Sequence, residues 1–141
     1  MSNFTEKVYI SIPAILGYED VPAIVAQTLT GNTRGTSIED ARKAHFVVQE
    51  ICSNAIIHGS NEDPTKMVNI ELFGLDESLV IEVSDTGKGF TPAIPNEFIA
   101  TRENRYGAWL FMVQKLVDDL ELHPSNTGTL VRMKIKAETT V

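Results

Sequence analysis

Two side chains in the stretch EICSNAIIHG, residues 50–59, have types suited to chemistry on phosphates. Glu50 and Asn54 stand four positions apart, so on a helix they sit about 40° apart around the axis. An asparagine amide oxygen is a fair ligand for a hard cation such as Mg2+, which keeps several waters and takes its other oxygens from phosphates. A glutamate nearby can accept the proton of an attacking hydroxyl. The pair reads either as two groups pointing into one cleft beside the core, or as an exposed helix edge with a local Glu–Asn contact.

The second stretch is VSDTGKGF, residues 83–90, where Asp85 follows a strand and precedes Gly87 and Gly89. Glycines there let the backbone turn tightly and let a flat ligand approach. A carboxylate accepts hydrogen bonds. Adenine offers an N6 donor, whereas guanine presents O6, an acceptor that a carboxylate repels. The other readings are a plain Asp/Gly turn or part of a calcium loop, although Thr86 and Lys88 do not supply the alternate carboxylates such a loop uses. Downstream, Gly107 lies where a loop gives way to a helix. It marks either a helix N-terminus suited to a phosphate chain or a buried helix after a flexible segment. Gly128 and Thr129 open the last strand, with a hydroxyl that either meets a phosphate or the Asp85 region, or belongs to an ordinary turn.

These residues need elements to hold them. KVYISI, residues 7–12, alternates and is β-branched, so it predicts a strand. A short helix is expected over residues 19–29, with Pro22 in its first turn, and residues 31–36 form a loop. Ser37 suits the N-cap of a long helix with Glu39 and Asp40 in its first turn. Along that helix Ala44, Val47, Val48, Ile51 and Ala55 recur at helical spacing, and Gly59 closes it. Residues 68–72 and 79–83 alternate and flank GLDES, which predicts a hairpin. Residues 91–105 read as a mobile loop with at most one helical turn. Residues 107–120 read as a helix and 128–136 as a final strand. The order β, α, α, β, β, loop, α, β predicts an α+β fold: a two-layer α/β sandwich whose mixed, mostly antiparallel sheet is covered by helices on one face.

The bulk numbers bound the rest. The 141 residues suit a single domain spanning 1–141, which at this size buries roughly 68–70% of its unfolded surface. The net charge of −7, with Lys and Arg scattered, argues against direct nucleic-acid binding and favours protein partners or a metal-bound anion. The one cysteine, Cys52, excludes an internal disulfide and suits a reducing compartment. No N-terminal apolar run has the length of a signal peptide or membrane span, so a cytoplasmic protein without a membrane partner is expected.

Taken in order, EICSNAIIHG, DTGKGF, RYGAWLFMVQKLVDD and GT resemble the motifs of the GHKL (histidine kinase-like) ATPase superfamily. The short length, NAIIHG and the LVDDL ending most resemble bacterial anti-sigma-factor serine kinases. The match runs over residues 37–136 and more loosely over the first strand and helix. The resemblance implies a Bergerat-type fold, ATP and Mg2+ as ligands, a mobile lid, a homodimer, and phosphorylation of a serine on an anti-anti-sigma-type protein. A sigma factor is the implied second partner. Glu50 is similar to the family's catalytic carboxylate, Asn54 to its magnesium-binding asparagine, and Asp85 to its adenine-binding aspartate with Gly87 and Gly89 beside it. Gly107 resembles the first lid-side glycine and Thr129 the late threonine. His58 also fits the pattern, but helix-end packing and hydrogen bonding is the preferred reading, because a lone His near a helix C-terminus suits that role.

The chain departs from the pattern at two places. Trp109 stands where a second lid-side glycine is usual. Ile57 stands where sensor histidine kinases carry a lysine, and the phosphoacceptor helix of a complete sensor kinase is not expected. Two functions follow: an ATP- and Mg2+-dependent protein serine kinase, or a nucleotide-gated or nucleotide-free switch that sequesters a partner without phosphorylating it. Trp109, the sole tryptophan, gives an optical test. Its emission is expected to change when Mg-ATP is added; an unchanged spectrum at saturating nucleotide would set the indole apart from the lid.

Overall fold

The computed structural model describes residues 7–31, 38–75, 78–86 and 112–136. Among these residues, five strands form one sheet. β1 (Val8–Pro13) comes from the alternation of KVYISI: Val8, Ile10 and Ile12 turn toward the core while Tyr9 stands exposed. β1 pairs with β2 (Met67–Leu75), matching Ile10 to Ile70 and Ile12 to Val68. β2 and β3 (Ser78–Ser84) make the expected hairpin. Its ladder runs on through Gly74 and closes at the pair Leu75 and Ser78, so the connection is tighter than the whole of GLDES.

β4 (Asp119–Ser125) and β5 (Gly128–Lys136) form a second hairpin, and the sheet order is β1-β2-β3-β5-β4. All four pairings are antiparallel, so of the mixed, mostly antiparallel sheet expected, the described residues show the antiparallel part.

β4 corrects the expected helix over residues 107–120. Among the described residues the helical part is 112–116, and the chain is extended from Asp119. The reason is a change of period. Leu120 and Leu122 alternate with Glu121 and His123, and they pair with Met133 and Val131 on the core side. Asp118 enforces the change: its N–H donates to the Lys134 carbonyl at 2.9 Å, and its carboxylate accepts from the Lys136 N–H at 2.5 Å. Pro124 is tolerated because, among the described residues, β4 is an edge strand with no neighbour on its outer side.

Among the described residues the helical layer consists of α1 (Asp20–Gly31) and α2 (Ile38–Asn54), with the short helical run at 112–116. Ala23 and Ala26 of α1 and Ala41 and Ala44 of α2 are buried, and their small size suits close helix packing. Gln49 Nε2 donates to Asp20 Oδ1 at 2.7 Å, and His45 Nδ1 lies 2.7 Å from Gln27 Oε1, which joins the two helices. Val47, Val48, Ile51, Cys52 and Ile56 then meet Ile70, Leu72, Ile81, Val83, Val131 and Met133 of the sheet in one core. Burial pushes the Cys52 thiol far above its usual range, followed in effect by the charge of Glu19. The expected N-cap Ser37, the loop before it and the loop over residues 91–105 lie outside the described residues.

Central burial gives a stability prediction. Ile81 is fully enclosed on β3. Ile81→Ala is expected to lower the unfolding free energy by about 2–5 kcal/mol, since it removes buried methyl groups and leaves a cavity. Urea denaturation of the two proteins measures the difference.

Candidate functional site

The apolar stripe of α2 fixes which way its polar residues look. With Val47, Val48 and Ile51 in the core, Glu50 is left half-buried at the border of the stripe, and Asn54 ends the helix at 6 % exposure. Burial raises the Glu50 carboxyl above the usual carboxylate range, and the charge of Glu19 raises it further. Glu19 belongs to the turn leading into α1, where its carboxylate accepts the Gly17 N–H at 2.6 Å. The Gln49–Asp20 hydrogen bond ties that same turn to α2 one residue before Glu50.

Asn54 carries an amide whose Nδ2 is buried and has no hydrogen-bond partner among the described residues. Such a donor usually costs about 1–3 kcal/mol. A bound anion beside it would satisfy the NH2, and the amide oxygen would remain for a cation. The residue therefore fits a phosphate–metal pair.

After Asn54 the helix does not simply stop. Ala55–Gly59 form a π turn, in which the Ser60 N–H donates to the Ala55 carbonyl at 2.8 Å. Single π turns are rare and recur at functional sites. The chain then leaves through Asn61 and Glu62, both at φ 52°.

Asp85 follows β3 and is 6 % exposed. Its N–H donates to the Thr129 carbonyl at 3.1 Å, which locks it to the start of β5. Thr129 is buried beside it. Two glycines crowd Asp85 from different elements. A Cβ on Gly59 would overlap the carboxylate, and one on Gly128 would overlap the Asp85 carbonyl oxygen. Gly128 also holds φ 149°, a conformation suited to glycine.

The structure thus brings Asp85 and Thr129 together, with the end of the Asn54 helix set against them through Gly59. Gly87, Gly89, Gly107 and Trp109 lie outside the described residues. His58 is exposed on the π turn. A cleft of about 180 Å³ beside Asp85 is lined by Ser84, His123, Ser125, Gly128 and Thr129. A larger hollow of about 410 Å³ lies on the polar face of the sheet, among Tyr9, Ser11, Asn69, Glu71 and Glu82; it borders that cleft through Ser84 and Leu130 and holds none of the expected site residues. Among the described residues no cluster of three His, Cys, Asp or Glu side chains is arranged to hold a metal.

Three site residues escaped the sequence reading. Gly59 and Gly128 pass there as a helix stop and a strand start, and Glu19 passes as the first residue of a helix. The missing signal at Gly59 is conformational. A glycine that ends a helix normally does so with positive φ, yet the positive-φ glycines among the described residues are Gly17 and Gly128.

Residues 18–135 match the family described as histidine kinase-like ATPase domain. The chain is 34% identical over 102 residues to an anti-sigma F factor of Caldanaerobacter subterraneus, covering 69% of this chain and 71% of that protein. It is 26% identical over 144 residues to the serine-protein kinase RsbW of Bacillus velezensis, covering 94% and 87%. Among solved structures, it resembles the RsbU and RsbW domains of a Mycobacterium tuberculosis protein with TM-score 0.63 and 16% identity. That match covers 94% of this chain and a third (33%) of the other. The histidine kinase domain of a blue-light activated kinase from Erythrobacter litoralis gives TM-score 0.56 and 20% identity, covering 89% of this chain and 62% of that one. At these identities the structural likeness is one of fold.

The unpartnered amide gives a prediction that needs no ligand. Asn54→Ala removes a buried donor that has no partner, so it is expected to change stability by less than about 1 kcal/mol. A thermal melt that fell by ten degrees or more, on the order of 3 kcal/mol for a domain this size, would make Asn54 a structural residue.

Proposed function

Because the chain belongs to the histidine kinase-like ATPase domain family, we propose that it is an ATP- and Mg2+-dependent protein serine kinase of the anti-sigma-factor type. Its substrate is a serine on an anti-anti-sigma-type protein, and a sigma factor is its second partner. In this reading it acts in the cytoplasm, as a homodimer, and regulates transcription by switching between partners. The relatives named as an anti-sigma F factor and a serine-protein kinase support the partner classes. The observation that carries the site is the junction where Gly59 sets the end of α2, with Glu50 and Asn54, against the carboxylate of Asp85.

Asp85 accepts a hydrogen bond from the adenine N6 amino group, and its buried setting makes that bond discriminating. Thr129 and the backbone at Gly128 border the same end of the pocket. Asn54 offers its amide oxygen to Mg2+ and its unpartnered NH2 to a phosphate oxygen. Mg2+, when bound, supplies positive charge that offsets the phosphate oxygens. Glu50 takes the proton of the partner's serine hydroxyl while the serine oxygen bonds to the γ-phosphorus and the bond to the β–γ bridging oxygen breaks, leaving ADP. Positioning and electrostatics supply most of the catalysis in such transfers. The second reading is a nucleotide-gated or nucleotide-free binding switch without transfer. Trp109, in place of a lid-side glycine, is the feature that favours it.

Glu50 must be ionised to act as a base. With its acidity weakened by burial and by Glu19, activity is expected to fall on the acid side at a higher pH than an ordinary glutamate of pKa 4.5 would give. The same shift has a sign for stability. A carboxyl raised in the folded state favours folding at low pH, and this contribution is lost as pH rises through the folded value. Glu50→Gln is therefore expected to melt at or above the parent at pH 7, with the difference vanishing in acid. It should keep ATP binding and lose about 10²–10⁴-fold in transfer rate, the usual worth of a general base. A radiolabel transfer assay with the captured partner protein measures this. Tight ATP binding with no transfer by either protein would establish the binding switch instead.

A further inference from the structure

We infer that Glu19, in the turn that leads into α1, is the positioning residue behind Glu50: a second carboxylate, fixed beside it, that keeps Glu50 basic enough to take the serine proton. This rests on the reading of Glu50 as the general base and adds the α1 turn as the part of the fold that sets its strength.

Three observations carry it. First, the two chain segments are clamped side by side. Gln49 Nε2 donates to Asp20 Oδ1 at 2.7 Å. Glu19 precedes Asp20 and Glu50 follows Gln49, so one glutamate flanks each end of that bond. Consecutive α-carbons lie about 3.8 Å apart, which keeps the two glutamates in the same neighbourhood. Second, the Glu19 side chain is fixed on its own turn. Its carboxylate accepts the Gly17 N–H at 2.6 Å. Gly17 holds φ 107°, the left-handed region that glycine favours. A Cβ there would meet nothing within 4 Å, so the backbone conformation, not space, calls for glycine. Third, the two carboxylates are left unneutralised. Both are half-buried. The ion pairs among the described residues use Glu39, Glu71, Glu82 and Glu121, and neither Glu19 nor Glu50.

Like charges that share a half-buried setting favour the protonated form of one another. Burial raises the Glu50 carboxyl first and Glu19 raises it second, and the buried Cys52 thiol, two residues on, responds to the same charge. The other groups around Glu50 do not offset this. Asp20 is a further negative charge, already engaged by Gln49. The sheet meets α2 with apolar side chains. Lys43 stands two turns back along α2, roughly 10 Å along the axis. A carboxylate of ordinary acidity is a weak base at neutral pH. Bringing its proton affinity nearer the working pH is what makes a general base effective, and paired carboxylates in unlike surroundings are a recurrent means of doing so.

The test compares the parent with Glu19→Gln, which removes the charge while its amide oxygen can still accept the Gly17 N–H. Without nucleotide, carbon NMR follows the Glu50 carboxyl as pH is varied, the signal being identified by its loss in Glu50→Gln. The titration midpoint is expected at lower pH in Glu19→Gln than in the parent. Melting at pH 7 should show coupling: Glu19→Gln is expected to raise the melting temperature more in the parent than in the Glu50→Gln background, where no second charge remains. In the radiolabel transfer assay the acid limb of the pH profile should move down with the NMR midpoint. The rate above that limb should fall by less than the roughly 10²–10⁴-fold that loss of a whole base costs. Glu19→Ala, which loses the hydrogen bond as well, should show the same midpoint shift together with a lower melting temperature. An unchanged Glu50 midpoint in Glu19→Gln overturns the inference, and so do melting shifts that simply add. A moved midpoint with an unmoved acid limb overturns the catalytic role of Glu19 alone. A moved midpoint with ATP bound and no transfer by any of the proteins overturns the kinase reading, and that role with it.

Discussion

The apolar stripe of α2 meets the inner face of the sheet, and this one contact sets everything that matters for the site. Val47, Val48, Ile51, Cys52 and Ile56 must all leave water together. That requirement leaves α2 a single rotation about its axis, and with it the direction in which Glu50 and Asn54 project. A slip of one residue would turn the helix by about 100° and expose part of the stripe. At roughly 25 cal/mol per Å² of apolar surface, such a slip is far more costly than anything the two polar side chains gain. Polar residues of the site are therefore positioned by apolar residues that never touch a ligand.

The outer face of the sheet shows the opposite logic. Tyr9, Glu71, Glu82, Arg132 and Glu121 fall in one row across the strands, because the register sets them side by side. Lys7 lies 3.9 Å from Glu71 and Arg132 lies 3.6 Å from Glu82, all at least partly in solvent. Pairs of this kind contribute about 0–1 kcal/mol each. They keep the face polar without fixing the fold. The acidic excess of the chain is visible here and again around the α1 lead-in turn, where Glu19 and Asp20 stand near Glu50.

How far the sequence could be read followed from how local each signal was. The period of α2, the alternation of β2 and β3, and the run of β5 are properties of short windows, and all appear in the fold. β4 was hidden because its leucines continue an apolar run that also suits a helix; the β5 partner that decides between them lies in another segment. Asp85 and Thr129 were legible as candidates from their motifs, but their backbone hydrogen bond was not, since it joins positions 44 residues apart in the chain. Gly59 was legible only as punctuation. Its purpose depends on a carboxylate 26 positions downstream, and no local pattern encodes that.

The π turn also constrains how this sequence can change over evolution. Removing one residue from Ala55–Gly59 would let α2 wind on as a regular α-helix, with the better hydrogen-bond geometry of that form. The same deletion would rotate the end of the helix by about 100° and carry its last α-carbon away from Asp85. A shortened lineage would thus gain helical regularity and lose the fit between two distant segments, leaving a well-folded protein with a misaligned pocket. Substitutions at the segment's other positions keep its length and escape that trade, whereas any side chain at Gly59 would meet the Asp85 carboxylate. Drift at this helix end should therefore run through changes of residue type, with insertions and deletions confined to the loops that follow.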